Sequence, residues 1–589
     1  MASIERLLAD YRDGSADPAE VVAHAYEGAR SASEPAWISL VAWGRVKAAL
    51  GRLRDASPDL PLYGIPFAIK DNIDLAGTPT TAACPAFSYV PADSAFAVAR
   101  LVAAGAVPIG KTNMDQFATG LTGTRTPHGA CASVVDPRYV SGGSSSGSAL
   151  AVADGTVPFA LATDTAGSGR VPAAMNAIVG LKASRGAIGT RGVVPACRGL
   201  DCVSLLTADV ADAARVLDVV AGHDPEDPYS RAGSGARAEG LPSGAARARI
   251  AVPPEHQLTF CGERLAAAAW ERALRRVRSL GWQLVEVDYE PFAEAARLLY
   301  DGPWISERYA TIGPFVAGHR REVHPIVRRV IMSGRDHSAV DAFHAAHRLA
   351  ELRHVTRAVW KTADALLLPT APTLFTGAEI ADQPIVRNAL LGTYTNFVNL
   401  LDLCAIAVPG GAREDGLPFG VSLIAPAGAD RSLLALAAHW NGEDVASGDR
   451  TDTVSLAVVG AHLSGEPLNH QLVTLGARLS QTIHTAPGYR LYALPDTDPA
   501  KPGLVGGGPP DGPRIELEIW ELSIESFGRL VAGVPPPLVI GTVMLADGRA
   551  VKGFLCEADA VSDARDITAY GGWRAWRASL GLAGSAPAG

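Results

Sequence analysis

The chain lacks the features that would place it in a membrane, on nucleic acid or in an oxidising compartment. No apolar run approaches the 18 residues of a membrane-spanning helix, and the charged N-terminus MASIERLLADYRDG is unlike a signal peptide. The net charge of −9 argues against nucleic acid as a main partner. The seven cysteines are scattered and form no CxxC pair, which is typical of a reduced protein. We therefore expect a cytoplasmic protein without membrane or nucleic-acid partners.

Internal repeats are also absent, and the composition is that of a large globular protein. A hydrophobic content of 48% with 61 glycines indicates a well-packed chain rather than a disordered one. Between residues 60 and 250, apolar runs such as IPFAIK and VPIGK alternate with helical stretches such as AFAVARLVAAGA. That alternation predicts the α/β class, with a sheet covered by helices on both faces.

A length of 589 residues predicts more than one domain. The polar stretch WNGEDVASGDRTDT interrupts the apolar pattern and predicts a boundary. We expect a first domain over residues 1–440, a linker over 441–455 and a second domain over 456–589.

The second domain has strand signals. IELEI alternates with strand period, and VMLADGRAVKGF predicts a hairpin whose Asp547-Gly548 pair suits a type I′ turn. The glycine- and proline-rich residues 500–513 predict a loop. These signals indicate a small α+β, β-barrel-like domain.

Three segments carry the chemistry: YGIPFAIKDNID with Lys70, GGSSSGS with Ser144, and TDTAGSGR with Ser168. A serine does not readily attack an amide at neutral pH without a base, and neither serine motif contains a histidine. A lysine can supply the base if burial lowers its pKa. The set therefore predicts a serine hydrolase of the Ser–Lys type.

Each segment alone is a weak signal, because a GGSSSGS run is often a flexible turn and Lys70 could lie at the surface. Together, in this order and spacing, they resemble the amidase signature family over roughly residues 1–440. The resemblance implies an α/β/α sandwich around a mixed sheet. It also implies that Ser168 is the nucleophile, that Ser144 is a bridging serine after a cis peptide bond, and that Lys70 is the general base.

Two positions depart from the family pattern. Ser146 replaces a glycine of the usual GGSSGG, and Ala166 replaces the first glycine of the usual GGS. Because alanine is small, we expect the nucleophile turn to survive the change. The run Thr165, Ala166 and Gly167 is expected to offer backbone N–H groups to a tetrahedral oxyanion.

The segment LLYDGPWISERY suggests a substrate class. It resembles allophanate hydrolases, in which a matching tyrosine and arginine bind the carboxylate of the substrate; here these residues are Tyr300 and Arg308. Their spacing of about two helical turns would let both face one pocket, and an arginine fork suits a carboxylate. Gly120, in QFATGLTGTRTPHG, matches a glycine that leaves room beside the scissile carbonyl. The alternative is that Arg308 is an ordinary surface or ion-paired arginine.

The second domain adds an independent resemblance. LAVVGAHLSGEPLNHQL resembles the start of the C-terminal domain of allophanate hydrolases, which has a γ-glutamylcyclotransferase-like shape. The resemblance implies that the first domain releases ammonia from allophanate and leaves N-carboxycarbamate, whose decarboxylation the second domain promotes. His470 is the first titratable candidate, and His462 is the second. Either could instead cap a helix or pack in the core.

The sequence therefore predicts hydrolysis of allophanate, a small-molecule substrate, to ammonia and carbon dioxide. The resemblance further implies a homodimer and functional coupling to a urea carboxylase. His344 and His347 lie on one helical face without further ligands, and we expect neither metal nor cofactor.

Two alternatives stay open at this point. The first is an amidase for malonamate-like or aryl amides whose C-terminal domain is a binding or dimer-bracing module. The second, which leaves that domain unexplained, is an ammonia-channelling component of a transamidation complex.

Overall fold

The protein divides into two compact units, residues 1–446 and 447–589. The computed structural model describes residues 2–32, 34–54, 56–231, 247–443, 453–475, 477–495, 497–509 and 511–580. Most of the linker predicted at 441–455 lies outside the described residues. No described helix is both long and apolar enough to cross a membrane.

The first unit is built on an eleven-stranded mixed sheet within the described residues. In chain order its strands are β1 (Trp37–Leu40), β2 (Pro66–Lys70), β3 (Val107–Thr112), β4 (Phe159–Thr163), β5 (Val179–Lys182), β6 (Val203–Thr207), β7 (Arg249–Val252), β8 (Gln283–Glu286), β9 (Ala365–Pro369), β10 (Leu403–Ala412) and β11 (Pro418–Pro426). Their spatial order is β1-β3-β2-β4-β6-β5-β10-β11-β9-β7-β8. β2 runs parallel to both β3 and β4, whereas β4 and β6 are antiparallel.

Helices pack against this sheet, and central strands such as β2, β4 and β6 are buried along their whole length. The helices are α1 (Ile4–Asp13), α2 (Pro18–Ser31), α3 (Trp43–Arg54), α4 (Phe96–Ala103), α5 (Ser146–Ala153), α6 (Arg170–Met175), α7 (Val210–Val220), α8 (Arg264–Ser279), α9 (Glu290–Arg297), α10 (Trp304–Gly318), α11 (Pro325–Met332), α12 (Ala339–Thr356), α13 (Gly377–Asp382), α14 (Val386–Leu391), α15 (Phe397–Leu400) and α16 (Asp430–Asn441). Strands buried on both faces are what a sheet covered by helices requires. The predicted α/β class is confirmed.

The pairing of β2 with β4 determines where Lys70 lies in the fold. Phe67 lies opposite Phe159, and their rings stack with centroids 5.2 Å apart. Because the two strands are parallel, their carboxyl ends meet at the same edge of the sheet. Lys70 and Thr163, the last residues of the two strands, therefore come together there.

The second unit is rich in strands. These are β12 (Thr453–Val458), β13 (Arg478–His484), β14 (Tyr489–Ala493), β15 (Pro502–Gly506), β16 (Glu516–Ser523), β17 (Leu538–Met544), β18 (Ala550–Cys556) and β19 (Arg565–Asp566). They form a five-stranded sheet in the order β13-β16-β12-β18-β17 and a three-stranded sheet in the order β15-β14-β19. Its described helices are α17 (Asn469–Thr474), α18 (Ile524–Ala532) and α19 (Trp573–Ser579). The predicted α+β character is confirmed.

Two local predictions for this unit were wrong. The hairpin of β17 and β18 forms, but its turn is not type I′, which needs a positive φ at both central residues. The Gly548 N–H donates to the Leu545 carbonyl, and of the turn residues only Gly548 has a positive φ, at 89°. The stretch 500–513 contains β15 rather than being a loop throughout. Its Pro502 lies on an edge strand, where a missing N–H is tolerated.

Gly147 in α5 tests how tightly the first unit is packed. A Cβ atom there would lie 2.1 Å from the Ala36 carbonyl oxygen and 2.5 Å from the Asn113 nitrogen. We expect Gly147→Ala to lower the free energy of unfolding by about 1–3 kcal/mol, since backbone atoms must move. Gly51→Ala in α3 is the matched control: no atom lies within 4 Å of the new Cβ, so it should be neutral or stabilising by up to about 1 kcal/mol. Urea unfolding of both variants checks this, and equal midpoints would contradict it.

Candidate active site

Lys70 is fully buried at the carboxyl edge of the sheet. Its Nζ donates to Ser144 Oγ at 2.8 Å and to Thr163 Oγ1 at 2.7 Å. Among the described residues no carboxylate lies within ion-pairing distance of Nζ. The lysine is thus held by two neutral hydroxyl groups in a site shielded from solvent.

This environment changes the charge of the lysine. Burial lowers the pKa of Lys70 to about 7, although the nearby carboxylates Asp115 and Asp164 favour the protonated form. The positive charge of Arg308 adds to the lowering of that pKa. A substantial neutral fraction is therefore present near pH 7, as a general base requires.

The serine loop is a packed element, not a flexible turn. Residues 141–150 are all buried, and the peptide bond between Gly143 and Ser144 is cis, as the resemblance implies. A Cβ atom at Gly142 would lie 2.8 Å from Met175 Sδ. One at Gly143 would lie 2.3 Å from Asp115 Oδ2. The two glycines are therefore needed for close approach of the backbone.

The turn that carries Ser168 adjoins this loop. The Ser145 N–H donates to the Ser168 carbonyl at 3.3 Å, and Ser168 is only 3% exposed. In the part of the chain that the structure describes, Ser168 Oγ makes no hydrogen bond. It is free to meet a substrate at the edge of the buried pair formed by Lys70 and Ser144.

Asp164 fixes the nucleophile turn. Its carboxylate accepts the N–H groups of Gly167 at 2.7 Å and Gly169 at 3.2 Å, and it pairs with Arg170 Nε at 2.8 Å. Although burial opposes ionisation, the Arg170 guanidinium holds the pKa of Asp164 below its ordinary value. The ionised carboxylate thus acts as an anchor for the turn rather than as a reacting group.

One of the three backbone amides predicted to bind the oxyanion already has a partner. The Gly167 N–H is occupied by Asp164, so it does not suit the role predicted for it. The N–H groups of Thr165, Ala166 and Ser168 have no partner among the described residues. The geometry therefore favours the Ser168 amide in place of the Gly167 amide.

The same turn explains the departure at Ala166. It is Gly167 that has the positive φ, at 124°, and a Cβ atom there would lie 2.3 Å from Thr395 Oγ1. Ala166 has an ordinary backbone conformation, which an alanine adopts without strain. The expectation that the turn tolerates this alanine is confirmed.

Thr165 also links the turn to a buried acid. Its hydroxyl donates to Asp201, which accepts the Cys197 N–H as well. Burial raises the pKa of Asp201 to about 6. Asp201 lines a surface cleft of about 350 Å³ that also includes Arg191 and Arg198.

Arg308 is neither exposed nor ion-paired. It is 3% exposed on α10, and its Nη1 donates to the Ala118 carbonyl at 3.0 Å and to Thr119 Oγ1 at 2.6 Å. Its other nitrogens have no partner within the described ranges. A buried cation that makes no direct ion pair is costly, so this position favours an anionic ligand.

The reason given for Tyr300 needs correction, and Gly120 has a second reason to be a glycine. Tyr300 lies in the turn between α9 and α10, not on the helix of Arg308, so their spacing does not place both on one helical face. A Cβ atom at Gly120 would lie 2.4 Å from Asp115 Oδ2, which is a reason for a glycine here apart from the predicted room for a substrate. Its buried N–H has no partner among the residues described. This amide is therefore available to a ligand.

The two histidines of the second unit differ in how firmly they are held. The His462 ring stacks on Phe554 with centroids 5.0 Å apart, and its Nε2 lies 3.0 Å from Gln471 Oε1. Burial lowers the pKa of His462. His470 is exposed on α17, where its Nδ1 lies 2.8 Å from the Pro467 carbonyl oxygen. His462 is the more restrained of the two.

A buried carboxylate anchors the turn after His462. Glu518 accepts the Ser464 N–H at 2.8 Å, the Trp520 Nε1–H at 3.0 Å and an Arg574 N–H at 2.7 Å. Although burial opposes ionisation, Arg574 and these donors hold the pKa of Glu518 below its ordinary value. The turn from Gly460 to Ser464 is thus a rigid element of the second unit.

The pKa of Lys70 leads to a prediction for the reactivity of Ser168. We expect the rate of covalent labelling of Ser168 by a fluorophosphonate to rise with pH through an apparent pKa near 7, because only neutral Lys70 accepts a proton. Lys70→Arg should reduce labelling by at least about 100-fold. Ser145→Ala, which leaves the tie of its N–H to Ser168 in place, should keep the same midpoint. A rate independent of pH between 6 and 8 would contradict the assignment of Lys70 as base.

Known proteins match both units. The amidase family model matches residues 20–434, and the model of the allophanate hydrolase C-terminal domain matches residues 454–578. The chain is 40% identical over 573 residues to urea amidolyase of Saccharomyces cerevisiae; the match covers 92% of this chain and 31% of that protein. Urea amidolyase of Lachancea kluyveri is 42% identical over 573 residues, with the same coverage of 92% and 31%. The chain thus spans less than half the length of these relatives.

A solved structure agrees over nearly the whole chain. Selenomethionine-substituted Kluyveromyces lactis allophanate hydrolase aligns with a TM-score of 0.77 and 39% identity, covering 98% of this chain and 99% of that one. The amidase family model itself covers most of the residues. On this basis the chain belongs to the amidase family.

Proposed function

We propose that this amidohydrolase converts allophanate to ammonia and carbon dioxide. The observation that carries the proposal is that Arg308 is a buried cation without a direct ion pair, and that its charge lowers the pKa of Lys70. Allophanate is a urea that bears a carboxylate, so its anionic end suits Arg308 while its terminal amide faces Ser168. The similarity to the Kluyveromyces lactis allophanate hydrolase supports the same substrate.

In the first reaction, Ser168 Oγ attacks the carbonyl carbon of the terminal amide. Its proton passes to Ser144, whose own proton passes to neutral Lys70. The oxyanion that forms accepts hydrogen bonds from backbone N–H groups of the nucleophile turn, and one such donor is worth about 3–4 kcal/mol of transition-state stabilisation. Collapse breaks the C–N bond, and the relay returns the proton so that ammonia leaves. Water then hydrolyses the acyl-enzyme and releases N-carboxycarbamate.

In the second reaction, the C-terminal unit promotes decarboxylation of N-carboxycarbamate. Protonation of its nitrogen lets one carboxylate leave as carbon dioxide, and the carbamate that remains then gives ammonia and a second carbon dioxide. Of the candidate proton donors, His470 and His462, the restraint of the ring by Phe554 and Gln471 favours His462.

The proposed reaction implies partners. A urea carboxylase would supply allophanate, and the greater length of the urea amidolyase relatives supports such coupling. The homodimer and the cytoplasmic location expected from the sequence stay predictions.

The substrate assignment is tested by ammonia release from freshly prepared allophanate, with malonamate and glutamine as comparisons. We expect rapid release from allophanate, which Ser168→Ala abolishes. Arg308→Gln should raise KM for allophanate by roughly 30- to 150-fold, since a charged hydrogen bond of about 2–3 kcal/mol is lost. Activity on the other amides alone would contradict the proposal and leave the Ser–Lys chemistry intact.

The second reaction is tested separately with ¹³C-labelled allophanate and NMR detection of N-carboxycarbamate. We expect His462→Asn to leave the first release of ammonia unchanged but to let N-carboxycarbamate accumulate, because its nitrogen is protonated more slowly. His470→Asn, the matched control at a less restrained ring, should have a smaller effect. Wild-type product ratios in both variants would instead indicate that this unit is a binding module.

A further inference from the structure

Two buried arginines hold the same residue of the loop between β3 and α5. Arg125, 4% exposed, donates from Nη1 to the Thr119 carbonyl at 3.0 Å. Arg308 donates from Nη1 to the Thr119 hydroxyl at 2.6 Å. The second arm of Arg125, Nη2, donates to the Pro384 carbonyl at 2.6 Å. Arg125 thus ties the loop to the segment between α13 and α14, whereas Arg308 ties it to α10.

The peptide unit that joins Thr119 to Gly120 is polarised by this arrangement. Its carbonyl accepts a hydrogen bond from a cation, and its N–H, on Gly120, is buried and has no partner among the described residues. A charged donor at the carbonyl makes the N–H of the same peptide a stronger donor. Since a buried N–H without a partner is costly, this group is built to meet a ligand.

The loop would not keep this shape unaided. Phe117 and Ala118, which precede Thr119, both have a positive φ of 53°, a conformation that non-glycine residues rarely adopt. Arg125 restrains the loop through the Thr119 carbonyl, and Arg308 restrains it through the Ala118 carbonyl. These guanidinium contacts act together with the Leu121 N–H bond to Asn388 and the Thr122 N–H bond to Asp115 to hold the Gly120 N–H in a fixed direction.

Arg125 also lacks a direct ion pair. In the described ranges no carboxylate lies within ion-pairing distance of Arg125 or of Arg308. Burial lowers the pKa of Arg125, and the neighbouring Arg308 acts in the same direction while Asp115 and Tyr300 oppose it. Two adjacent buried cations without a direct ion pair favour an anionic ligand over a neutral one of the same shape.

We propose that Arg125 is a positioning residue that sets the specificity of the pocket: it presents the Gly120 N–H and, with Arg308, restricts binding to linear amides that bear a carboxylate. The proposal rests on the proposed function for the site, and it adds a residue that need not touch the substrate. It assigns the preference for anions to two arginines rather than to Arg308 alone.

The test measures binding by calorimetry to the full-length chain carrying Ser168→Ala, so that turnover does not interfere. Malonamate and malonamide are the probes, because they have the same linear skeleton and differ in carrying a carboxylate or a second neutral amide. Arg125→Gln should weaken malonamate binding at least tenfold and malonamide binding less than twofold. Arg125→Lys, which keeps the charge and one hydrogen bond, should restore part of the loss for malonamate.

Arg413→Gln is the matched control. Arg413 is 5% exposed but pairs with Asp415 at 2.7 Å, and it has no contact with the loop of Thr119. Its loss should lower the unfolding temperature and leave the ratio of the two affinities unchanged.

Equal weakening of both probes by Arg125→Gln, or an unchanged ratio, would overturn the proposal, as would failure of the parent chain to bind malonamate. If Arg125→Gln does not fold, the affinity ratio of Arg125→Lys decides. A wild-type chain that binds malonamate but releases no ammonia from allophanate would refute the proposed function while leaving the role of Arg125 intact.

Discussion

Everything at the active site depends on removing one lysine side chain from water. Lys70 loses its hydration at the end of β2, and burial brings its pKa to about 7 only because no carboxylate binds it directly. The two carboxylates that most favour its protonated form, Asp115 and Asp164, are nevertheless close by. Asp164 is occupied by Arg170 and the nucleophile turn, and Asp115 accepts the N–H groups of Gly123 at 3.1 Å and Arg125 at 2.8 Å. Both are thereby kept from pairing with the base.

A carboxylate occupied by several hydrogen-bond donors is also found in the second unit. Glu518 is a buried carboxylate that binds backbone, indole and guanidinium donors around the turn after His462. In both units a charged group that does no chemistry itself gives a short turn a fixed shape, because an ionised acceptor binds several donors at once. Loops held in this way can present reactive groups with the precision of regular secondary structure.

The α/β sheet and the association of Lys70 with Ser144 could be predicted from the sequence, because the motifs that indicate them are local and distinctive. Prediction failed where the answer depends on contacts between distant segments. The occupation of the Gly167 amide by Asp164 follows from the folded turn, and the place of Tyr300 follows from where α10 begins. Arg125 was missed because a lone arginine in a polar loop is normally exposed, and only the fold shows that it is buried.

The position of the Asp115 carboxylate matters for more than its hydrogen bonds. A methyl group at Gly120 or at Gly143 would meet the same oxygen, Asp115 Oδ2, although the two glycines are well separated along the segment between β3 and α5. This carboxylate is also the strongest of the charges that favour protonated Lys70. Added bulk at either glycine would displace that charge and alter the proton affinity of the base without touching it. The size of the side chains at positions 120 and 143 therefore helps to set the pKa of Lys70, although neither residue contacts it.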